Sequence, residues 1–109
     1  MKLYIVGTGA GNAGGMTLDA QSAIQASDIV VGYTLYVELL RSIFPEKNYL
    51  STGMKSEAER VKLALSEAQN GKTVSLICSG DSGVYGMAGL ALELSDNYTN
   101  IDIEIVPGV

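Results

Sequence analysis

Ser79-Gly80-Asp81-Ser82-Gly83-Val84-Tyr85-Gly86 is the stretch whose residue types could do chemistry, because glycines, hydroxyls and a single carboxylate sit together between two very apolar segments. Thr73-Val74-Ser75-Leu76-Ile77-Cys78 before it reads as a buried strand, and Met87-Ala88-Gly89-Leu90-Ala91-Leu92-Glu93-Leu94 after it reads as a buried helix. The stretch is then a strand-to-helix turn. At the carboxyl end of a parallel strand the chain leaves the sheet, and the unpaired amides of the next helix face an open crevice where ligands bind. Gly80, Gly83 and Gly86 would let a ligand approach the backbone and would permit positive φ, with Asp81 as the only formal charge. The same residues serve equally as a tight turn with Asp81 capping the helix. Spacing alone does not separate the two readings.

A second candidate loop follows the first residues. Lys2-Leu3-Tyr4-Ile5-Val6 has the near-continuous apolarity of a strand covered on both faces, and Gly7-Thr8-Gly9-Ala10-Gly11-Asn12-Ala13-Gly14-Gly15 comes next. So many glycines in one loop imply close approach by something. A dinucleotide fingerprint would need a third glycine where Asn12 stands and a helix starting at once, and the phosphate-binding Walker pattern lacks its lysine.

Composition removes several chemistries. The chain has no histidine, so neither a Ser-His-Asp triad, nor a Cys-His pair, nor a histidine metal site is available within it. Catalysis here must need little proton transfer. The lone Cys78 allows no internal disulfide and reads as a small core residue. A formal charge of -5 with no basic cluster argues against nucleic acid or an anionic membrane as the main partner. No run approaches the length of a membrane span, and residues 1–6 read as a first strand, not as a signal peptide.

The elements that must position these loops alternate. A helix is expected over residues 16–26, capped by Thr17, with Leu18, Ala20, Ala23 and Ile24 inward, and a strand over 28–31. Gly32-Tyr33-Thr34 reads as a turn, and residues 35–44 as a helix burying Leu35, Tyr36, Leu39, Leu40 and Ile43, stopped by Pro45. A short strand over 47–51 and the loop Thr52-Gly53-Met54-Lys55 precede a long helix over 56–70. That helix would bury Ala58, Val61, Ala64, Leu65 and Ala68, leave Glu57 and Arg60 outward, and stop at Asn70-Gly71. The last strand spans residues 101–106. The pattern predicts a single three-layer α/β domain of 109 residues with a largely parallel sheet, somewhat apolar for its size.

In this order and spacing, Gly7-Thr8-Gly9-Ala10-Gly11, Leu18 and Ala20, Ser27-Asp28-Ile29-Val30-Val31, Ser79-Gly80-Asp81 and Pro107-Gly108-Val109 resemble the tetrapyrrole methylases, which use S-adenosylmethionine. Val31-Gly32-Tyr33-Thr34-Leu35-Tyr36, Thr52-Gly53-Met54 and residues 80–89 are most similar to the branch that methylates carbon 17 of precorrin-3B in cobalamin biosynthesis. The family fold has two α/β domains with the cofactor in the cleft between them. The chain is similar to the first alone, so the second domain is expected either in the rest of a longer polypeptide or in a separate chain.

The resemblance implies S-adenosylmethionine contacts at Ala10, Ser79, Gly80, Asp81 and Val84, and places Gly9, Gly11 and Tyr33 toward a tetrapyrrole substrate. Because that substrate is rich in carboxylates and the chain is net acidic, local cations must receive it, Lys55 first and Arg60 next. No catalytic residue is assigned. Tyr33 reads equally as a packing aromatic, and Lys55 and Arg60 as solvated surface. The family's glycine loop usually reads Gly-Pro-Gly-Asp-Pro, whereas Gly9-Ala10-Gly11-Asn12-Ala13 lacks both prolines and the carboxylate. The implied reaction is displacement at a sulfonium methyl by a ring carbon, which asks mainly for alignment and exclusion of water. A cytoplasmic homodimer is expected with it. The alternatives are a non-catalytic binding or interaction domain and, more remotely, a nucleotide-binding oxidoreductase domain.

Overall fold

Five short apolar runs pair side by side into one all-parallel sheet, in the order β3-β2-β4-β1-β5. The strands are β1 (Lys2–Gly7), β2 (Ile29–Tyr33), β3 (Asn48–Thr52), β4 (Thr73–Cys78) and β5 (Asp102–Val106). The helices between them are α1 (Leu18–Ala26), α2 (Thr34–Arg41), α3 (Glu57–Gln69) and α4 (Asp81–Leu94), with a 3-10 turn at Ser95–Asn97 before β5. The computed structural model describes residues 1–9, 16–53, 57–79, 81–98 and 100–108, and for Asp81 and Ser82 the backbone alone. No helix among the described residues is long and apolar enough to cross a membrane.

Strand alternation assigns the two faces. Leu3, Ile5, Val31, Val74 and Leu76 point to one side, where α3 and α4 cover them with Val61, Ala64, Leu65, Met87, Ala88 and Ala91. Val6, Val30, Ile77 and Val106 point to the other, under Ala20, Ala23 and Ile24 of α1 and Val37 and Leu40 of α2. Each fully buried Leu, Ile or Val contributes about 1.5–3 kcal/mol, so the two clusters together drive the fold. Ser75 is the polar exception in the central strand. Its hydroxyl is paired with that of Ser27 at 2.6 Å and donates to the Ala23 carbonyl at 3.3 Å, so no buried polar atom is left unpaired there.

Winding direction follows from the strand order. The connections from β1 through β2 to β3 run toward one edge and place α1 and α2 on one face; those from β3 through β4 to β5 run back and place α3 and α4 on the other. The helices that leave β2 and β4 therefore depart to opposite faces, and the carboxyl ends of these neighbouring strands are left uncovered. A crevice at such a reversal is where ligands of open α/β sheets bind.

Five local expectations are corrected. The strand-to-helix turn is much shorter than the small residues suggest, because α4 already begins at Asp81 and takes in Gly83 and Gly86. Gly32 and Tyr33 belong to β2 and not to a turn, their pairing with Ser51 and Thr52 extending the strand. On α2, Leu35 is 61% exposed and Leu39 49% exposed, while Val37 and Leu40 point inward. Leu18, the first residue of α1, is 80% exposed although Thr17 caps the helix as expected, its hydroxyl accepting from the Ala20 amide at 3.0 Å. On α3 the inward face includes Arg60 and leaves Ala58 exposed, the reverse of the expectation for both.

Candidate functional site

A cavity of about 520 Å³ opens at the carboxyl ends of β2 and β4, within the range of small-molecule sites. Tyr33 and Tyr36 form one wall, Ile77, Cys78 and Ser79 the floor, Gly83, Gly86 and Met87 of α4 a second wall, and Glu57 and Arg60 of α3 the remaining side. Tyr33 reaches this position because it ends β2, and Tyr36 because it lies in the first turn of α2. Their rings meet edge to face, 5.4 Å between centroids.

Glycine spacing makes the α4 wall. Residues 83 and 86 are three apart on the helix and share a face. A methyl added at Gly83 would reach no closer than 3.6 Å to Cys78 Cβ, and one at Gly86 would meet nothing within 4 Å, so both positions open onto space a ligand can enter.

Gly7 has a different task. A methyl there would lie 2.7 Å from the Gly108 backbone nitrogen and 2.9 Å from Val84 Cγ2, so the exits of β1 and β5 cross backbone to backbone under α4. Thr8 continues this tie, its amide and hydroxyl both donating to the Cys78 carbonyl at 2.8 and 3.1 Å. Gly9 follows with φ +63°, a conformation that favours glycine.

The two formally charged side chains lining the cavity among the described residues come from one helix. Arg60 is only 6% exposed; its Nε donates to Thr52 Oγ1 at 2.7 Å, its Nη2 donates to the Gly53 carbonyl at 3.3 Å, and its Cζ lies 5.7 Å from the Tyr33 ring centroid. Glu57, one turn earlier, is exposed at the rim. Among the described residues no group of His, Cys, Asp or Glu could hold a metal ion.

Burial pushes the Cys78 thiol up to about 12, Glu57 adding a little and Arg60 opposing. The thiol is therefore neutral at ordinary pH and takes part as a small apolar surface. Native chain at pH 8 should resist a disulfide reagent that labels the urea-unfolded chain at once. Because the folded thiol holds its proton to higher pH than the unfolded one, its contribution to stability is complete below about pH 9 and is lost as pH rises toward about 12. Unfolding midpoints of wild type and Cys78→Ala measured across that window should converge; parallel curves would contradict it.

The expected site residues divide as follows. Ser79 and Tyr33 line the cavity, and Asp81 begins α4 beside it. Val84 is fully buried against the β1 exit, and Gly9 lies just past that exit. Ala10, Gly11, Lys55 and Gly80 lie outside the described residues. Sequence reasoning missed the cavity roles of Tyr36, Glu57 and Met87. Arg60, expected outward, is instead on the inward face of α3 with Ala64 and Ala68.

Known proteins match this chain along its whole length. It is 44% identical over 108 residues to a probable cobalt-factor III C(17)-methyltransferase of Salmonella typhimurium, covering 98% of this chain and 45% of the relative. It is 42% identical over 113 residues to the cobalt-factor III methyltransferase of Priestia megaterium, covering 99% of this chain and 21% of that protein. The chain thus spans less than half the length of either. The crystal structure of the methyltransferase CobJ superposes with a TM-score of 0.84 at 28% identity, over 98% of this chain and 46% of that one. The family description Tetrapyrrole (Corrin/Porphyrin) Methylases matches residues 2–109. With the doubly wound sheet and the open crevice beyond β2 and β4, that match settles the family: the chain belongs to the tetrapyrrole methylases.

Proposed function

We propose that this domain is the first part of an S-adenosylmethionine-dependent C-methyltransferase acting on a tetrapyrrole of the precorrin-3B or cobalt-factor III type in cobalamin biosynthesis. The observation that carries the reading is the cavity itself. It lies at the β4–α4 junction, where the family resemblance puts Ser79, Gly80, Asp81 and Val84 against the cofactor, with Ala10 from the glycine loop. The names of the two relatives favour the cobalt-bearing form of the substrate.

The residues present fit such a cofactor. The glycine wall of α4 admits a flat group against the backbone, and Ser79 offers an exposed hydroxyl at the floor. When bound, S-adenosylmethionine supplies an electrophilic methyl on a sulfonium that already carries its leaving group. This chain would then bind and orient: Ser79, Gly80, Asp81 and Ala10 on the cofactor, Val84 by packing the junction, and Gly9, Gly11, Tyr33 and Lys55 on the substrate. A cationic ligand suits a chain of net charge -5. A second domain beyond this one, a homodimer and a cytoplasmic setting belong to the same reading, and exposed Leu35 and Leu39 offer apolar surface for the contacts it needs.

Calorimetric titration with S-adenosylhomocysteine tests it. Wild type should bind, and Asp81→Ala should lose about 1 kcal/mol or more as a charge-assisted hydrogen bond is removed. No heat from this chain or from a longer polypeptide carrying it would overturn the reading in favour of a non-catalytic interaction domain.

A further inference from the structure

Arg60 is the one cation lining the cavity among the described residues, and it is more than nine-tenths buried. An ionised guanidinium so far removed from water is costly unless it is paired. None of the ion pairs among the described residues includes it, and both of its hydrogen bonds go to neutral oxygens, the Thr52 hydroxyl and the Gly53 carbonyl. These two bonds hold Nε and Nη2, and the Tyr33 ring lies against the guanidinium at 5.7 Å. An arginine carries five donors in a rigid fork suited to a carboxylate. The fork is thus aimed by the protein before any ligand arrives.

We propose that Arg60 is the carboxylate-recognition residue of this cavity, receiving one peripheral carboxylate of the tetrapyrrole while Tyr33 and Tyr36 present ring surface to the macrocycle. The inference rests on the methyltransferase reading and turns Arg60 from a further cation into the oriented contact of that site. A net-acidic domain must accept a polyanionic substrate somewhere, and a preoriented guanidinium beside two aromatic rings supplies both the charge and the flat surface. Glu57, at the rim of the same cavity, opposes an incoming carboxylate and sets how tightly such a ligand can bind. The simpler alternative is that Arg60 only straps the end of β3 to α3.

Uroporphyrin I, a planar tetrapyrrole with eight carboxylates, is the probe, titrated by absorbance against wild type, Arg60→Lys, Arg60→Gln and Glu57→Gln, with S-adenosylhomocysteine calorimetry in parallel. Arg60→Gln should lose about tenfold or more in uroporphyrin affinity, as expected for a charge-assisted bidentate contact, and Arg60→Lys should fall between it and wild type. Glu57→Gln, which leaves the anchor of Arg60 untouched, should bind uroporphyrin about two- to fivefold more tightly and keeps the test decisive if Arg60→Gln fails to fold. Added salt should weaken wild type more than Arg60→Gln. S-adenosylhomocysteine affinity should change much less than uroporphyrin affinity throughout, since Thr52 and Gly53, the hydrogen-bond partners of Arg60, are not among the proposed cofactor contacts.

Equal uroporphyrin affinity in wild type and a folded Arg60→Gln would overturn the inference and leave a strap. A loss confined to S-adenosylhomocysteine would overturn it too, by moving Arg60 to the cofactor. Wild type that binds S-adenosylhomocysteine but no uroporphyrin defeats the inference alone; wild type that binds neither, by itself and within a longer polypeptide carrying it, defeats the methyltransferase reading as well.

Discussion

Gly7→Ala should destabilise the domain by about 1–3 kcal/mol and carry S-adenosylhomocysteine binding down with it, although it adds only one methyl group. The methyl would sit 2.7 Å from the backbone nitrogen of Gly108 and 2.9 Å from Val84 Cγ2. A side-chain tip can rotate away, but a backbone nitrogen moves only with its strand. The contact is mutual, for a methyl at Gly108 would lie 2.6 Å from the Gly7 carbonyl oxygen and 3.0 Å from the Gly9 nitrogen. Relief therefore requires β1 and β5 to part at their carboxyl ends, beside the start of α4. The loss should appear as a lower urea midpoint with an unchanged slope, and as a melting temperature lower by about 4–8 °C for each kcal/mol. A Gly7→Ala chain as stable as wild type would show that the two exits do not cross this closely.

That result bears on what the glycine loop says when read as sequence. Its first glycine is required by a crossing of two backbones distant in the chain, which no local pattern encodes. Gly32 is the same kind of case: inside β2 it reads as a turn, whereas its missing side chain makes room for Ile77 of the neighbouring strand. Elements with a self-sufficient signal were legible. β4 lies between Gly71, at φ +94°, and a small-residue junction, and its unbroken apolar run matches a strand buried on both faces. The all-parallel sheet followed from the alternation of such runs with helices.

Helix phase was harder. α2 marks an outer stripe with Thr34, Glu38 and Arg41, but Leu35 and Leu39 border that stripe, and apolar spacing alone made them as eligible for burial as Val37 and Leu40. α4 was cut short because Gly83 and Gly86 are poor helix formers, yet its inner face is supplied by Val84, Met87, Ala88 and Ala91. Tertiary packing overrides propensity there. In the site, the resemblance pointed to the β4–α4 junction, and the sheet order explains why a cavity lies beside it. What sequence could not supply was Arg60 turned inward, since its burial depends on acceptors at Thr52 and Gly53 and on a ring at Tyr33, all on other elements.

Gly32→Ala should cost about 1–3 kcal/mol and should also narrow the cavity. A methyl on Gly32 would collide with Ile77 Cγ1, lie 2.8 Å from Ile77 Cδ1 and stand 3.3 Å from Val37 Cγ2. Val37 is fully buried and hemmed in by the α2 cluster, so Ile77 must yield. Ile77 also floors the cavity, and a turn of its side chain toward open space would take volume from the ligand site. Stability and binding should therefore fall together through one residue, and a double-mutant cycle can isolate it. Ile77→Ala alone should cost about 2–5 kcal/mol as a cavity-forming change. In the double variant the added methyl would occupy space that Ile77 has vacated, so the combined loss should fall short of the sum by about 0.5–3 kcal/mol, the usual coupling of contacting residues. Additive losses would mean that the methyl at position 32 is resisted by the strand backbone and not by Ile77, and the cavity would then keep its size in Gly32→Ala.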